Sequence, residues 1–229
     1  TKGIEPATKE LPLAYLERFL APSSSTCVLS GPSFARDVVA ERPCGVVAAS
    51  RSRETALSVA QLFSNGSMRV YTSDDPLGVE LGGICKNVVA VAAGVVDGLE
   101  LGESARSGLI TRGLAEMMRL AKAMGADPFT LCGLSGLGDL VMTATSATSR
   151  NRTVGFRLGK GERLEHIIKT LGSVAEGVYA TPHVLALGRR HGIEMPITEG
   201  VEGVLTGKRE LSEIMQSLLT RPLKNEFGS

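Results

Sequence analysis

Tryptophan is absent from the sequence, and aromatic residues make up only 4% of its 229 residues. An excess of positive charge is also missing, because 25 Lys and Arg residues against 24 Asp and Glu residues leave a formal net charge of +1. Proteins that bind nucleic acid or anionic membrane surfaces carry basic patches, and platforms that stack bases need aromatic rings. We therefore expect no nucleic-acid partner and no membrane insertion.

Metal-binding and disulfide patterns are equally scarce. The sequence has three histidines and four cysteines, with no metal-ligand spacing and no C-x-x-C pair, so we expect no metal site. Each cysteine lies among apolar or small residues, which predicts reduced, buried thiols in a cytoplasmic protein, because disulfides belong to oxidising compartments. The four are Cys27, Cys44, Cys85 and Cys132.

Long apolar runs are lacking as well. The longest extends from Val88 to Val96 and ends at Asp97, well short of the roughly 20 apolar residues that a membrane-spanning helix needs. No signal-peptide pattern precedes the first polar segment. Hydrophobic residues at 43% and charged residues at 21% are typical of a globular protein with a buried core.

The first third of the sequence alternates between strand and helix signals. Short apolar runs at residues 26–30, 44–49 and 68–72 predict strands. Ser33 and Ser52 are expected to cap the helices between them. Alternating strands and helices predict a small, mostly parallel α/β sheet, which we interpret as part of a larger one.

Only helical signals follow Pro76, and we therefore place a domain boundary near residue 76. An α/β part, residues 1–75, then precedes a larger all-α part, residues 76–229. The predicted helices are 76–97, 104–124, 128–142, 150–160, 162–171, 174–191, 196–206 and 210–220. The predicted helix ends include Pro76 and Pro196 in first turns, Ser104 as an N-cap, and Gly125 and Gly192 as C-terminal caps.

The segment from Val79 to Val96 is apolar nearly all round, which predicts a buried helix, yet Lys86 and Asn87 interrupt it. A buried ammonium is costly unless it is paired, and burial lowers its pKa, so that it can move a proton near neutral pH. The alternative is a lysine at a helix edge whose ammonium extends into solvent. The position alone leaves both interpretations open.

Residues 133–140, with the sequence GLSGLGDL, superficially resemble a nucleotide-binding loop. The glycine spacing is not G-x-G-x-x-G and no predicted strand precedes it, so we reject a dinucleotide fingerprint. A tight junction between helices, which presents Asp139 from a glycine-lined wall, is the better interpretation. Asp139 then anchors a lysine or binds a substrate hydroxyl, unless it is a simple N-cap.

Two further segments combine groups that bind oxyanions. Residues 146–155 place hydroxyls, an amide and two guanidiniums where a helix is expected to begin, which suits a phosphate or carboxylate. The alternative is a solvated, capped turn. Residues 30–33 follow a strand end, where α/β proteins bind ligands, although this signal is weak alone. Arg106 and Arg112 either reach a site or lie on a solvated face.

Several segments form an ordered series along the chain. They are TKG at 1–3, LSGPSFA at 29–35, GVEL at 78–81 with Lys86 and Asn87, LITRGLAEM at 109–117, GLGDL at 136–140, SRNR at 149–152, Val174 with Glu176 and Gly177, and MPI at 195–197. Each motif alone is modest, but their order is a specific signal. Taken together, they closely resemble the bacterial NAD(P)-dependent glycerol-3-phosphate dehydrogenase family.

The resemblance implies a role for each matching position. Lys86 looks like the family's general acid/base at the substrate C2 oxygen, and Asp139 like the residue that holds the substrate and orients that lysine. The implied substrate-binding set is Lys2, Gly31, Ser33, Lys86, Asp139, Ser149, Arg150 and Asn151. The implied cofactor-binding set is Lys2, Ala35, Arg150, Val174 and Glu176.

The implied activity is interconversion of sn-glycerol 3-phosphate and dihydroxyacetone phosphate with NAD or NADP, supplying glycerol 3-phosphate for phospholipid synthesis. A phosphorylated small-molecule substrate, a cytoplasmic location and a homodimer belong to the same expectation. Two alternatives stay open. One is a related dehydrogenase of another small acid, and the other is a non-catalytic module that binds a metabolite or dimerises.

One departure from the family is large. The family begins with a glycine-rich nucleotide fingerprint on its first strand, and this sequence has none. Residues 1–75 resemble the C-terminal part of a Rossmann-type dinucleotide-binding domain, and residues 76–229 resemble the helical substrate and catalytic domain. We therefore expect a fragment of the enzyme, one that does not by itself hold the dinucleotide properly.

Overall fold

The computed structural model describes residues 3–5, 7–21, 23–223 and 225–226. The strands are β1 (Val28–Ser30), β2 (Cys44–Ala49) and β3 (Met68–Ser73). The α-helices are α1 (Pro12–Glu17), α2 (Ala35–Val39), α3 (Arg53–Phe63), α4 (Pro76–Gly98), α5 (Glu103–Ala123), α6 (Asp139–Thr145), α7 (Arg150–Gly159), α8 (Leu164–Leu171), α9 (Glu176–Arg190), α10 (Pro196–Leu205) and α11 (Leu211–Leu219). A small α/β sheet followed by a larger all-helical part is confirmed.

The sheet has the order β1-β2-β3. β2 and β3 run parallel, with Cys44 opposite Met68 and Ala49 opposite Ser73. β1 runs antiparallel to β2, with Val28 opposite Ala49, so the expectation of a mostly parallel sheet is wrong for one of the two pairings. The segment between β1 and β2 explains the difference. A parallel pairing needs a connection that returns along the length of a strand, about 20 Å, whereas α2 is only about 7 Å long.

One predicted helix, residues 128–142, is wrong as a single element. The chain there forms a 3₁₀-helix (Pro128–Cys132), a π-helical turn (Leu134–Gly138) and then α6. Close packing of glycine backbone causes the break, since a Cβ at Gly136 would lie 2.5 Å from the Cα of Leu131. The other predicted elements lie within a few residues of those observed, and α1 was not predicted.

Most of the predicted helix ends are confirmed. The Ser52 hydroxyl accepts a backbone N–H at 3.2 Å at the start of α3. Pro76 and Pro196 are the first residues of α4 and α10. Gly125 and Gly192 follow α5 and α9 with φ of 89° and 67°, a conformation that glycine adopts without strain.

Two predicted caps are wrong. The Ser33 hydroxyl donates to the carbonyl oxygen of Gly31 at 3.2 Å, so it stabilises its own turn, and α2 begins without a side-chain cap. Ser104 lies inside α5, which begins one residue earlier after Gly102. The chain can enter α5 there because Gly102 has a φ of 87°.

α4 is the central helix of the fold. Every residue from Gly78 to Gly94 is buried, and the side chains of Val79, Ile84 and Val88 expose 1% or less. Each such side chain contributes about 1.5–3 kcal/mol through removal from water. The helix is therefore a rigid support for the polar residues it carries.

Glycines bring α4 and α7 into backbone contact. A Cβ at Gly155 would lie 2.8 Å from the carbonyl carbon of Val91, and one at Gly94 would lie 2.8 Å from the amide nitrogen of Phe156. Side chains at these positions would force the helices apart. The first turn of α7 is thereby held close to the last turns of α4.

By length and composition alone, α4 could cross a membrane. The uninterrupted apolar run at residues 88–96 did not reveal this, because it covers less than half of the helix. However, 94% of its most apolar window is buried inside the fold. A helix that is apolar all round and covered by other helices is a core helix.

All four cysteines are free thiols, but their burial differs from the prediction. Cys85 is buried, Cys27 and Cys44 are half-buried, and Cys132 is exposed. Cys132 ends the short 3₁₀-helix, where local apolar neighbours do not ensure burial. Burial in α4 raises the pKa of the Cys85 thiol to about 12.

Candidate active site

Lys86 lies in the interior, where α4 passes the start of α6. Its side chain is 6% exposed, and its Nζ donates to the Oδ1 of Asp139 at 2.7 Å and to the Oγ1 of Thr143 at 2.8 Å. The alternative of an ammonium extending into solvent is therefore wrong. A buried ammonium needs such partners, because an unpaired one is strongly disfavoured.

Asp139 is the first residue of α6 and is fully buried. Its carboxylate faces the Lys86 ammonium, so the simple N-cap interpretation is wrong. The junction that presents it is tight, as predicted, since a Cβ at Gly82 would lie 2.7 Å from the carbonyl oxygen of Ser135. The glycines thus let the π-helical turn lie directly on α4.

Thr143 completes this cluster and was not predicted. Its side chain is buried, and its hydroxyl donates to the carbonyl oxygen of Asp139 at 2.6 Å while it accepts from Lys86. Residues four apart lie on one face of a helix. The spacing of Asp139 and Thr143 was the available signal, and we name the group of Lys86, Asp139 and Thr143 the lysine cluster.

The start of α7 carries three of the predicted substrate-binding residues, Ser149, Arg150 and Asn151. Ser149 is buried, and its hydroxyl accepts the Arg152 N–H at 3.3 Å. The Ser149 side chain therefore caps α7, as the alternative of a solvated, capped turn expects, but it is buried rather than solvated. Arg150 follows it and is exposed in the first turn of α7, where unpaired backbone N–H groups favour an anion.

The side chain of Asn151 is buried and binds partners inside the protein. Its Nδ2 donates to the Oδ1 of Asn87 at 2.9 Å, and its Oδ1 accepts the N–H of Gly177 at 2.8 Å. Asn87 is the neighbour of Lys86 on α4, and Gly177 lies in the first turn of α9. The carboxamide therefore joins three helices, and its contact with substrate stays a prediction.

The turn after β1 reaches the same region. Gly31 has a φ of 149°, and a Cβ there would lie 2.8 Å from the Cα of Val46, so only glycine fits without strain. Pro32 packs against Gly138, the residue before Asp139. A Cβ at Gly138 would lie 3.6 Å from the Cγ of Pro32. Ser33 is half-buried beside it. The turn therefore lies against the residue that precedes Asp139.

The implied cofactor contacts lie at helix starts. Ala35 is exposed at the start of α2, and Val174 is 59% exposed before α9. Glu176 is the first residue of α9, and its carboxylate lies against Gly3, whose φ of 114° favours glycine. Lys2, predicted for both sets, lies outside the described residues.

Two buried hydroxyls in the described part of the chain have no hydrogen-bond partner, those of Ser30 and Ser135. Their residues are 6% and 1% exposed. Ser30 ends β1 just before Gly31, and Ser135 lies in the π-helical turn just before Asp139. Buried polar atoms are normally satisfied, so these two hydroxyls have hydrogen-bonding capacity to spare.

Other charged groups lie outside this region. Arg106 donates to the Oδ1 of Asp97 at 2.8 Å, and Arg112 donates to the carbonyl oxygen of Glu226 at 3.4 Å. These two arginines therefore bind partners away from the lysine cluster. Over the residues that the structure describes, no group of three or more His, Cys, Asp or Glu side chains could hold a metal ion.

Family models match the chain in two parts. The C-terminal part of NAD-dependent glycerol-3-phosphate dehydrogenase matches residues 75–216, and its N-terminal part matches residues 1–56. The first match contains the whole lysine cluster and the start of α7. The second contains the turn after β1.

Individual relatives agree with these models. The glycerol-3-phosphate dehydrogenase (NAD(P)+) of Geobacter sulfurreducens is 50% identical over 228 residues, which is 99% of this chain and 68% of the relative. The protein of the same name from Geobacter metallireducens is 53% identical over 202 residues, 88% of this chain and 60% of the relative. The crystal structure of the Coxiella burnetii glycerol-3-phosphate dehydrogenase superposes with a TM-score of 0.90 at 41% identity, covering 96% of this chain and 67% of that one. The chain thus spans about two thirds of the length of these relatives, and it belongs to the NAD-dependent glycerol-3-phosphate dehydrogenase family.

Proposed function

We propose that this protein interconverts sn-glycerol 3-phosphate and dihydroxyacetone phosphate with NAD(H) or NADP(H). The observation that carries the proposal is the lysine cluster, a buried amine held by a carboxylate and a hydroxyl. Reduction of a ketone requires a proton at its oxygen and a hydride at its carbon. The cluster suits the first requirement, and the family's cofactor supplies the second.

Lys86 is the proposed acid and base at the C2 oxygen. As a cation it polarises the carbonyl of dihydroxyacetone phosphate, and it donates its proton to the oxygen that becomes the C2 hydroxyl. In the reverse direction the neutral amine accepts the hydroxyl proton. Asp139 and Thr143 hold the Nζ in one place.

Arg150 is the proposed phosphate contact. Its exposed guanidinium stands at a helix start, and arginine binds phosphate through two parallel hydrogen bonds. Binding at the phosphate end orients C2 against the lysine, so that binding energy is used for catalysis. The proposed substrate-binding set is Lys2, Gly31, Ser33, Lys86, Asp139, Ser149, Arg150 and Asn151.

The described residues fit the nicotinamide side of a dinucleotide. The Ser30 hydroxyl, which lies just before the turn at Gly31, is buried without a hydrogen-bond partner, and an unpartnered buried hydroxyl supports a polar ligand there. When bound, the nicotinamide supplies or accepts the hydride. The residues proposed to hold the cofactor are Lys2, Ala35, Arg150, Val174 and Glu176.

Finer proposals follow from the family. We assign residues 1–75 to the C-terminal part of a Rossmann-type domain and residues 76–229 to a helical substrate domain. The protein is proposed to be a cytoplasmic homodimer that supplies glycerol 3-phosphate for phospholipid synthesis. The four free cysteines support a reducing compartment, and light scattering measures the number of subunits.

The direct test is NADH and NADPH oxidation, followed by absorbance, with dihydroxyacetone phosphate and the protein expressed from its complete reading frame. Turnover that depends on this substrate is the expected result. If a folded protein oxidises neither NADH nor NADPH with this substrate, the proposal is contradicted, and a related dehydrogenase of another small acid or a metabolite-binding module is favoured.

The phosphate assignment has its own control. Arg150→Ala should raise the KM for dihydroxyacetone phosphate far more than the KM for unphosphorylated dihydroxyacetone, because only the former loses an ionic contact. Equal effects on both substrates would count against Arg150 as the phosphate contact.

A further inference from the structure

An ion cluster joins three helices at the far end of α4. Asp97, in the last turn of α4, accepts from the Nη1 of Arg106 on α5 at 2.8 Å. Its other carboxylate oxygen accepts from the Nε and Nη2 of Arg152 on α7, at 2.8 Å and 2.6 Å. The three side chains are between 10% and 23% exposed. Charge-assisted contacts made through two nitrogens fix the orientation of a guanidinium.

Arg152 is also held through its backbone. Its N–H donates to the Ser149 hydroxyl, and its carbonyl oxygen lies so close to Gly94 that no side chain fits there. Arg152 therefore attaches the first turn of α7 to the last turns of α4 by side chain and backbone together. Arg150 stands in the same turn, two residues earlier, and is exposed.

We infer that Asp97 and Arg152 are positioning residues that fix Arg150 relative to Lys86. Lys86 and Asp97 lie about three turns apart on one buried helix, so the helix sets the distance between the proton-transfer group and the anchor of α7. The inference rests on the proposed function, in which Arg150 binds the phosphate. A misplacement of about 1 Å between the two ends of a substrate can cost on the order of 100-fold in rate.

The competing interpretation is that Asp97 only adds stability. A loss of stability lowers the fraction of active molecules and therefore the apparent kcat, whereas misplacement of a substrate-binding group raises the KM. The two interpretations also differ in additivity. A residue that acts through Arg150 has no effect once the Arg150 guanidinium is gone.

The test is a double-variant cycle on the KM for dihydroxyacetone phosphate, in the protein expressed from its complete reading frame. Asp97→Asn should raise the KM about tenfold and change kcat by less than about twofold. Arg150→Ala should raise the KM at least as much, and the double variant should match Arg150→Ala alone. Asp97→Glu keeps the carboxylate and should recover part of the KM. An equal KM factor in both backgrounds, or an unchanged KM in Asp97→Asn, would overturn the inference.

Glu100→Gln is the matched control. Lys160, just after α7, donates to Glu100, just after α4, so this ion pair joins the same two segments at the opposite end of α7. Glu100 is 79% exposed at its side chain, and removal of an exposed pair changes stability little. The KM should therefore stay within about twofold of the wild-type value.

Hydrogen exchange at the amides of Arg152 and Thr153, which donate to Ser149, gives a readout that needs no substrate. Asp97→Asn should speed their exchange about tenfold through local opening of the first turn of α7, and Glu100→Gln should not. If Arg150→Ala leaves the KM unchanged, the phosphate assignment of the proposed function fails, while the exchange rates still report on the anchor. Unchanged exchange in Asp97→Asn would overturn the inference on its own.

Discussion

Two buried ionisable groups of the helical part, Lys86 and Glu116, have contrasting surroundings. They are 5% and 2% exposed. Glu116 accepts the N–H groups of Ile197 and Thr198 at 3.0 Å each and the Thr198 hydroxyl at 2.6 Å. Lys86 instead meets a carboxylate of opposite charge and a hydroxyl from α6.

The contrast distinguishes Glu116, which the start of α10 needs, from Lys86, which the fold does not need. The first N–H groups of a helix have no partner within it, and α10 has no side-chain cap of its own. Glu116 therefore acts as a cap supplied from α5. The bonds from Lys86 to Asp139 and Thr143 satisfy no unpaired backbone group at a helix end, and replacement of a buried ion pair by apolar residues is often neutral or stabilising. Its ammonium thus requires an explanation in function.

Replacement of Lys86 should give the largest contrast. Lys86→Met should lower the kcat for dihydroxyacetone phosphate reduction by about 10²–10⁴-fold, because a general acid is lost. Glu116→Gln should leave the kcat of the folded molecules within about twofold, because α10 carries none of the proposed contacts. Steady-state oxidation of NADH measures both. Near wild-type turnover in Lys86→Met would remove the lysine from the mechanism.

Folding of the lysine variant needs its own control. Lys86→Met leaves the Asp139 carboxylate buried without its cation, which costs about 3–5 kcal/mol. The double variant Lys86→Met with Asp139→Asn has neither charge and should recover most of that stability while it remains inactive. Urea denaturation compares the two variants.

Around the start of α10, removal of the Glu116 carboxylate should give the largest loss of stability. Glu116→Ala should lower the free energy of unfolding by about 3 kcal/mol, because two N–H groups of α10 and one hydroxyl lose their acceptor. Thr198→Val removes only the hydroxyl bond and should cost about 1 kcal/mol. Equal losses in the two variants would show that the backbone contacts of Glu116 contribute little.

Local patterns predicted much of the fold. The strands β2 and β3 and the helix α4 are visible as apolar runs and periodicities, which are properties of short segments. The direction of β1 depends instead on the length of its connection to β2. The break at residues 128–142 depends on the contact of Gly136 with Leu131 and of Gly82 with Ser135. Such contacts join residues far apart in sequence or cross a turn, and no local pattern encodes them.

The site was predictable where a residue conflicted with its local context. Lys86 interrupts an apolar helix, and Asp139 follows a glycine-rich segment, so both attract notice in the sequence alone. Thr143 conflicts with nothing, because a threonine is common in helices, and only the position of Asp139 reveals its role. The residue pattern indicated an oxyanion site around Arg150 and, weakly, a ligand turn at Gly31, whereas the specific roles of these residues and of the cofactor-binding set came from the family resemblance; all stay predictions.

A substitution that pushes α7 away from α4 should disturb the position of Arg150 relative to Lys86, while Glu116 should still cap α10. In Gly155→Ala the new methyl group would collide with the carbonyl of Val91. Overpacking of this kind costs about 1–3 kcal/mol, and the shift of α7 should also raise the KM for dihydroxyacetone phosphate. Urea denaturation and steady-state kinetics measure the two effects.

Gly108→Ala is the matched control for the glycine contact. Gly108 lies in α5, and a Cβ there would meet nothing within 4 Å. Alanine at this exposed helical position should raise the free energy of unfolding by about 0.5–1 kcal/mol, because glycine is a poor helix former. A change of the same sign in both variants would contradict the steric account of Gly155.

The smallest expected effect is the pH dependence of Glu116. Burial raises the pKa of its carboxyl above the ordinary value of 4.5, so the folded state keeps the proton to a higher pH than the unfolded chain does. Its contribution to stability is therefore fully present below pH 4.5 and decreases as the pH rises through the raised pKa. Glu116→Gln cannot titrate, so the difference in unfolding free energy should move in favour of this variant as the pH rises from about 4.5 through the raised pKa of Glu116. Glu80, whose pKa burial also raises, is present in both proteins and cancels in the difference. Urea denaturation at several pH values measures the slope, and the opposite slope would mean that the hydrogen bonds from α10 outweigh burial and hold the carboxylate ionised.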